Sequence, residues 1–332
     1  MMFKEMIRMF FPCTDPSVRA TGRFGLYDGK LTATAAGSKL EIAFSGKSCR
    51  LHLDLAWSTV PYPHLWMQLD EGARFEVPID RYLLVECGAG DHVLTVILKG
   101  EVEMQHRWYH PLIAKLSLIG YEADAAAVLP ENRKKTIELI GDSITEGVLV
   151  DAGYAPDRND DLLNRPYQDD VTATYAYRTA LALGLEPLCG GYGAVGVTRS
   201  GCGGVPAAAD MYPFCFEGVP VSYPHPDYVL INHGTNDAAA DFAKFEAGYI
   251  RLLDVVYAAH PDTHVIAVAP FFDRKDKETC AVVNAYNAAH HRDIFLVDTA
   301  GWLPPEPLHP LRDGHKIAAE KLTAILAEHF GL

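Results

Sequence analysis

Ser143 stands where an apolar run stops. The stretch Thr136-Ile137-Glu138-Leu139-Ile140-Gly141-Asp142-Ser143-Ile144-Thr145-Glu146-Gly147 reads as a buried strand that breaks at Gly-Asp-Ser and then opens a helix. A serine at the carboxyl end of a parallel strand is held at the rim of the sheet, where open α/β folds bind ligands. The free N–H groups of a helix start favour a neighbouring negative charge, as an oxyanion beside the serine would be. The plainer role for Ser143 is an N-cap, which serine fills well.

Three other polar clusters follow apolar runs in the same way: Gly190-Gly191-Tyr192-Gly193-Ala194-Val195-Gly196, Asn232-His233-Gly234-Thr235-Asn236-Asp237, and Glu306-Pro307-Leu308-His309-Pro310. Brought to one sheet edge, they fit acyl transfer. Ser143 is the candidate nucleophile, weak until a base takes its proton. His309 is the candidate base, because imidazole titrates near neutrality and can return the proton to a leaving alcohol. Glu306, three residues earlier, is the candidate acid that orients the imidazole, with a backbone carbonyl as its alternative. The N–H groups of Ser143 and Gly193 and the side-chain amide of Asn236 are candidate oxyanion donors, each worth about 3–4 kcal/mol in comparable sites. Glycine at 193 is expected to let the backbone approach the ligand closely. Asp142 and Asp237 are candidate supporting carboxylates, Asp237 having a helix cap as its plainer role. Asp313-Gly314-His315 offers a rival acid/base pair.

Two rhythms surround these residues. From Arg19 to Asp124, short alternating segments such as 39–44, 49–55 and 92–98 are punctuated by Asp28-Gly29, Ser45-Gly46, Glu71-Gly72 and Ala89-Gly90-Asp91, which predicts an antiparallel sandwich. The segment 125–135 reads as a polar linker. Beyond it, strand candidates near 137–141, 186–191, 227–233, 264–269 and 294–298 alternate with helical stretches near 171–184, 241–260, 276–291 and 313–330. That alternation predicts a parallel sheet covered on both faces. The expected division is an all-β domain over 1–130 and an α/β domain over 131–332. The polar insertion 150–170 is expected to loop over one end of the parallel sheet, with a lid over the pocket as the functional hypothesis.

The 332 residues are 49% hydrophobic and 22% charged, with 29 lysines and arginines against 43 acids and a formal charge of −14. That balance argues against nucleic acid or an anionic membrane as partner. Residues 1–11 hold no apolar run of signal-peptide length, and no segment approaches the roughly 18 apolar residues of a membrane span. Seven cysteines without repeated spacing fit a reducing compartment, so a cytoplasmic protein is expected. Cys189, Cys202 and Cys215 lack a C-x-x-C or histidine pattern and read as packing residues; neither a metal nor another cofactor is expected. Trp57, Trp66, Trp108 and Tyr192 could stack on sugars, although core packing is the plainer role of each.

With these blocks in hand, the sequence resembles the SGNH (GDSL-type) hydrolases. Gly141-Asp142-Ser143-Ile144-Thr145 matches the family's first block, Gly193 the second-block glycine, and Gly234-Thr235-Asn236-Asp237 the third block. Glu306-Pro307-Leu308-His309-Pro310 stands where the family has Asp-x-x-His-Pro, glutamate replacing aspartate. The likeness over roughly 136–330 implies a flavodoxin-like sheet and serine esterase chemistry. It differs from the α/β-hydrolase elbow in lacking the second glycine of G-x-S-x-G. The succession Thr21-Gly22-Arg23, Ala36-Gly37-Ser38, Phe44-Ser45-Gly46-Lys47, Gly90-Asp91-His92 and Gly120-Tyr121-Glu122 is similar to the jelly-roll module of carbohydrate esterase family two. This resemblance implies deacetylation of O-acetylated sugars, acetylated xylo-oligosaccharide among them. The alternatives are an esterase, lysophospholipase or thioesterase acting on longer acyl chains, acyl transfer to another sugar, and a glycan-binding protein without turnover. The sugar, the acetyl position and any homo-oligomer are left open.

Overall fold

The computed structural model describes residues 8–153, 165–272 and 274–332. The amino-terminal strands are β1 (Met9–Pro12), β2 (Val18–Thr21), β3 (Phe24–Tyr27), β4 (Lys30–Ala33), β5 (Lys39–Leu53), β6 (His64–Leu69), β7 (Phe75–Pro78), β8 (Tyr82–Gly100), β9 (Leu116–Ala123) and β10 (Ala125–Ala126). They form one ten-stranded antiparallel sheet in the order β3-β4-β9-β5-β8-β6-β7, with β2 and β10 added to β5 and β1 to β9. The sequence predicts several short strands with turns at Ser45-Gly46 and Ala89-Gly90-Asp91. Instead β5 and β8 run straight through both places, for 15 and 19 residues.

The two supposed turns lie opposite each other, Ser45 against Asp91 and Gly46 against Gly90, and the register shifts between Gly46 and Ser48. Paired glycines in long strands mark a bend rather than an end. Gly46 has φ +138°, and a Cβ there would stand 2.6 Å from Asp124 Oδ2. On one side of the bend β5 pairs with β2, and on the other with β9. The curled sheet wraps a single core of Leu40, Ile42, Phe44, Leu51, Leu65, Leu94, Val96, Leu116 and Leu118.

The second sheet is parallel. It comprises β11 (Thr136–Gly141), β12 (Glu186–Gly191), β15 (Tyr228–Asn232), β16 (His264–Val268) and β17 (Phe295–Val297), in the order β12-β11-β15-β16-β17. A small hairpin, β13 (Phe214–Phe216) and β14 (Val219–Pro220), lies outside it. Between the strands run α1 (Ser143–Glu146), α2 (Arg165–Gln168), α3 (Tyr175–Ala182), α4 (Ala208–Met211), α5 (Phe242–Ala259), α6 (Asp276–His290) and α7 (Arg312–Phe330). Successive strand residues point to opposite faces. Ile140, Val229, Ile231, Val265 and Ala267 share a core with α5 and α6, while Ile137, Leu139, Leu230, Ile266 and Val268 share one with α3 and α7. Each large aliphatic side chain so buried contributes about 1.5–3 kcal/mol relative to exposure.

The long helices follow from sequence. In α5, Phe245, Tyr249, Leu252, Leu253 and Val256 make one buried stripe, and the Asp241 side chain caps its start by accepting from the Lys244 N–H at 2.8 Å. In α7, Ala318, Ala319, Leu322 and Leu326 do the same, and Gly331 in the left-handed region ends it. Of the three cysteines read as packing residues, Cys189 and Cys215 lie in the core and Cys202 is half-buried outside it.

The two sheets are joined by buried charge. Arg23 Nη2 lies 2.9 Å from Glu138 Oε1 in the middle of β11, and Glu138 Oε2 also accepts from the Tyr212 hydroxyl at 2.6 Å. Lys39 Nζ reaches Glu186 Oε1 at 2.7 Å. Lys99 Nζ donates to the carbonyls of Pro166 and Tyr167, both at 2.9 Å, and Trp66 Nε1 donates to Asp170 Oδ1 at 3.1 Å. Of the insertion 150–170, residues 154–164 lie outside the described residues. No described helix is long and apolar enough to cross a membrane.

Candidate active site

Three strand ends and the turn before α7 bring the predicted residues together. β11 delivers Ser143 as the first residue of α1, 7% exposed. The cap of that helix is Asp142, whose Oδ1 accepts from the Ile144 N–H at 3.0 Å, so the N-cap role falls on the neighbour and leaves the Ser143 hydroxyl free for another partner. That partner is His309, whose Nε2 lies 2.9 Å from Ser143 Oγ. The helix is one turn long and closes at Gly147, so its dipole is small and the local donors must come from individual N–H groups.

Asn236, in the turn after β15, donates its amide to Val195 O at 3.1 Å and to Asp142 Oδ2 at 3.2 Å. It therefore ties the loop after β12 to the cap of α1, beside Ser143. Asp237 works on the same loop, accepting from the N–H groups of Val197 at 3.0 Å and Thr198 at 2.8 Å and from the Thr198 hydroxyl at 2.6 Å. This carboxylate holds loop backbone rather than capping a helix. Asp142 is fully enclosed, and burial pushes its carboxyl up to about 7.

Gly193 is small for a different reason from the one expected. A Cβ at 193 would fall 1.8 Å from Glu103 Oε2, so the space is filled by a carboxylate of the antiparallel half instead of being open to a ligand. The Gly193 N–H is among the groups that favour the charged form of Glu146. Glu306 is exposed, and no hydrogen bond joins its carboxylate to another described residue, His309 included. The rival His315 is excluded as a base. Its Nδ1 accepts from the Tyr175 N–H at 3.1 Å, its ring stacks on Tyr175, and burial pushes it down to about 3. His233 is equally buried and is pushed down to about 4.

Sequence reasoning missed the layer beneath α1. Arg107, fully buried on the loop between β8 and β9, forks onto Glu146, with Nη2 3.2 Å from Oε2, and its Nη1 lies 2.9 Å from Glu101 Oε1. Arg165 Nη2 reaches Glu103 Oε1 at 3.3 Å and its Nε reaches Asp169 Oδ1 at 3.4 Å. Four carboxylates thus share two guanidinium groups, and burial pushes both Glu101 and Asp169 up to about 7. Apart from Glu146, these charges stand in polar stretches of the sequence, 99–107 and 160–170, and nothing in spacing pairs Arg107 with Glu146. Of the four aromatic residues, Trp108 and Tyr192 are core, Trp66 is spent on the inter-sheet contact, and Trp57 is 70% exposed. No group of three or more potential metal ligands occurs among the described residues.

Comparison with known proteins agrees with this layout. The model of the GDSL-like lipase/acylhydrolase family matches residues 139–317, over half of the chain. No curated protein matches the sequence. Among solved structures, a family two carbohydrate esterase from Cellvibrio japonicus superposes with a TM-score of 0.80 at 19% identity, covering 97% of this chain and 98% of that one. An acetyl xylan esterase from Butyrivibrio proteoclasticus gives 0.73 at 18% identity, covering 98% and 99%. A family two carbohydrate esterase from Clostridium thermocellum, in complex with cellohexaose, gives 0.72 at 22% identity, covering 95% and 99%. At these identities the likeness shows a shared fold spanning both sheets.

Proposed function

The chain belongs to the GDSL-like lipase/acylhydrolase family, and from that premise we propose that it is a serine esterase that removes O-acetyl groups from carbohydrate, acetylated xylo-oligosaccharide being the preferred class. The observation that carries the reading is the 2.9 Å approach of His309 Nε2 to Ser143 Oγ. At that distance Nε2 accepts the hydroxyl proton as Oγ attacks the acetyl carbonyl, with the other imidazole proton on Nδ1. The tetrahedral oxyanion draws on the Ser143 N–H; in the resting site both Asn236 amide hydrogens go to Asp142 and Val195 and the Gly193 N–H faces Glu146, so these two groups join it only by giving up those partners. The imidazolium then protonates the departing sugar hydroxyl and leaves an acetyl group on Ser143. Water, activated by the same nitrogen, releases acetate. Glu306 stands outside this pair, and Asp142 and Asp237 act by holding Asn236 and the 195–198 loop. The acetyl-sugar preference is supported by the solved carbohydrate esterases that share the two-sheet fold.

Acetate release from acetylated xylo-oligosaccharide, with wild type and Ser143→Ala side by side and an acyl-length series of simple esters, tests the proposal. Loss of the nucleophile should reduce turnover by on the order of 10⁴–10⁶, and activity should collapse beyond short acyl chains. Unchanged acetate release by Ser143→Ala would remove Ser143 from the mechanism. Activity confined to long acyl chains would replace the sugar ester with a lipid or thioester.

A further inference from the structure

The face of β3, β4 and β9 turned away from the amino-terminal core carries a cleft of about 450 Å³ that shares no residue with the Ser143 site. That volume is within the range of small-molecule sites. Its floor is polar, with Thr32 Oγ1 and Ser117 Oγ 2.8 Å apart. On one side Asp54 accepts from Lys30 Nζ at 2.8 Å, and Lys115 Nζ donates to Ala56 O at 2.6 Å. The rim is aromatic. Trp57 is 70% exposed, and Tyr27, 41% exposed, stacks on His110 with ring centroids 4.2 Å apart.

Trp57 has φ +69°, in the left-handed region that a bulky side chain adopts at a cost. Strain of this kind concentrates where a ligand is held. Exposing the largest apolar side chain on a strained backbone contributes nothing to packing within this chain. The charges of the cleft cancel, Lys30 and Lys115 facing Asp28 and Asp54, and the whole chain carries −14. A phosphate or polyanion therefore finds no net attraction there. A ligand with an apolar ring face for Trp57 and hydroxyls for the carboxylate, ammonium and hydroxyl groups below matches every feature.

We propose that this cleft is a second, non-catalytic binding site for a neutral oligosaccharide, with Trp57 as its stacking platform. It goes beyond the reading of Ser143 and does not depend on it. The test uses the full chain with ¹⁵N-labelled tryptophan, titrated with unacetylated xylohexaose, cellohexaose and, as a charged control, an oligogalacturonate. The Trp57 indole signal should move with one of the neutral oligosaccharides. Trp57→Ala should weaken that binding roughly tenfold, the scale of one lost aromatic contact. Trp57→Phe should retain part of the affinity, and neither variant should alter acetate release from a small soluble ester. An indole signal unmoved by both neutral oligosaccharides, or equal affinity in wild type and Trp57→Ala, would overturn the proposal. A response to oligogalacturonate alone would overturn the neutral ligand. Loss of esterase activity in wild type would bear on Ser143 and leave the cleft assignment standing.

Discussion

The two sheets solve opposite problems. The parallel strands are short, three to six residues, and almost wholly buried on both faces, so they expose little except their ends. The chemistry gathers at those ends, as Ser143 after β11, Gly193 after β12 and Asn236 after β15. The antiparallel sheet invests in two strands of 15 and 19 residues that bend at facing glycines. Its shorter strands β3, β4 and β9 present a face with a surface cleft, and the loop after β8 sends Arg107 beneath the nucleophile. A buried parallel strand places atoms; the antiparallel sheet shapes surface and supplies support.

This division can be broken from the supporting side first. Arg107→Met leaves Glu146 and Glu101 buried without their cation, and should cost about 3–5 kcal/mol of stability. Urea unfolding of the full chain measures it, and a loss near zero would mean that the antiparallel half merely leans on α1. Next comes pH. Burial raises the folded pKa of Glu101 from its ordinary value of 4.5 to about 7, so the folded state binds more protons than the unfolded state between those values. Its contribution is full below about pH 4.5 and is lost as pH rises toward 7. Glu101→Gln removes that slope and should gain on wild type by on the order of 1–3 kcal/mol between pH 4.5 and 7. Denaturation at both ends of the window reads the difference, and parallel curves would show that Arg107 keeps Glu101 ionised throughout. The smallest effect belongs to the rim itself. Glu306→Gln should lower kcat/KM by less than about tenfold, because the carboxylate is exposed and unbonded to His309. A fall near 10⁴, as for the orienting acid of a triad, would return Glu306 to the machinery.

The parallel half was legible almost element by element. Its strands are largely apolar runs, with β11, β12 and β15 closed by glycine or asparagine, and its helices carry apolar stripes such as 245–256. The four polar clusters stood at strand ends, and the structure brings Ser143 and His309 into contact. The antiparallel half was legible only as strands. Gly46 and Gly90 look like turns in sequence because nothing local says that two glycines will face each other across a ladder. Arg107 was illegible for a related reason, its partner Glu146 lying 39 residues away in α1 of the other half. Glu306 shows how little proximity in sequence settles: three residues from His309, it is an exposed residue on the other side of Pro307. Gly193 was singled out for close approach to a ligand, yet the neighbour that demands a glycine is Glu103.

The inter-sheet ion pairs have a bearing on inheritance. Glu138, Glu146 and Glu186 all come from the parallel half, and the cations that meet them, Arg23, Arg107 and Lys39, all come from the other. A gene fragment encoding the parallel half alone would leave Glu138, Glu146 and Glu186 without the cations that meet them, whereas Arg107 would keep Glu101 within its own half. Exchange of one sheet for an unrelated module would have to import three matching cations at once. The halves are therefore poor candidates for shuffling, and the architecture is expected to travel through descent as one indivisible unit.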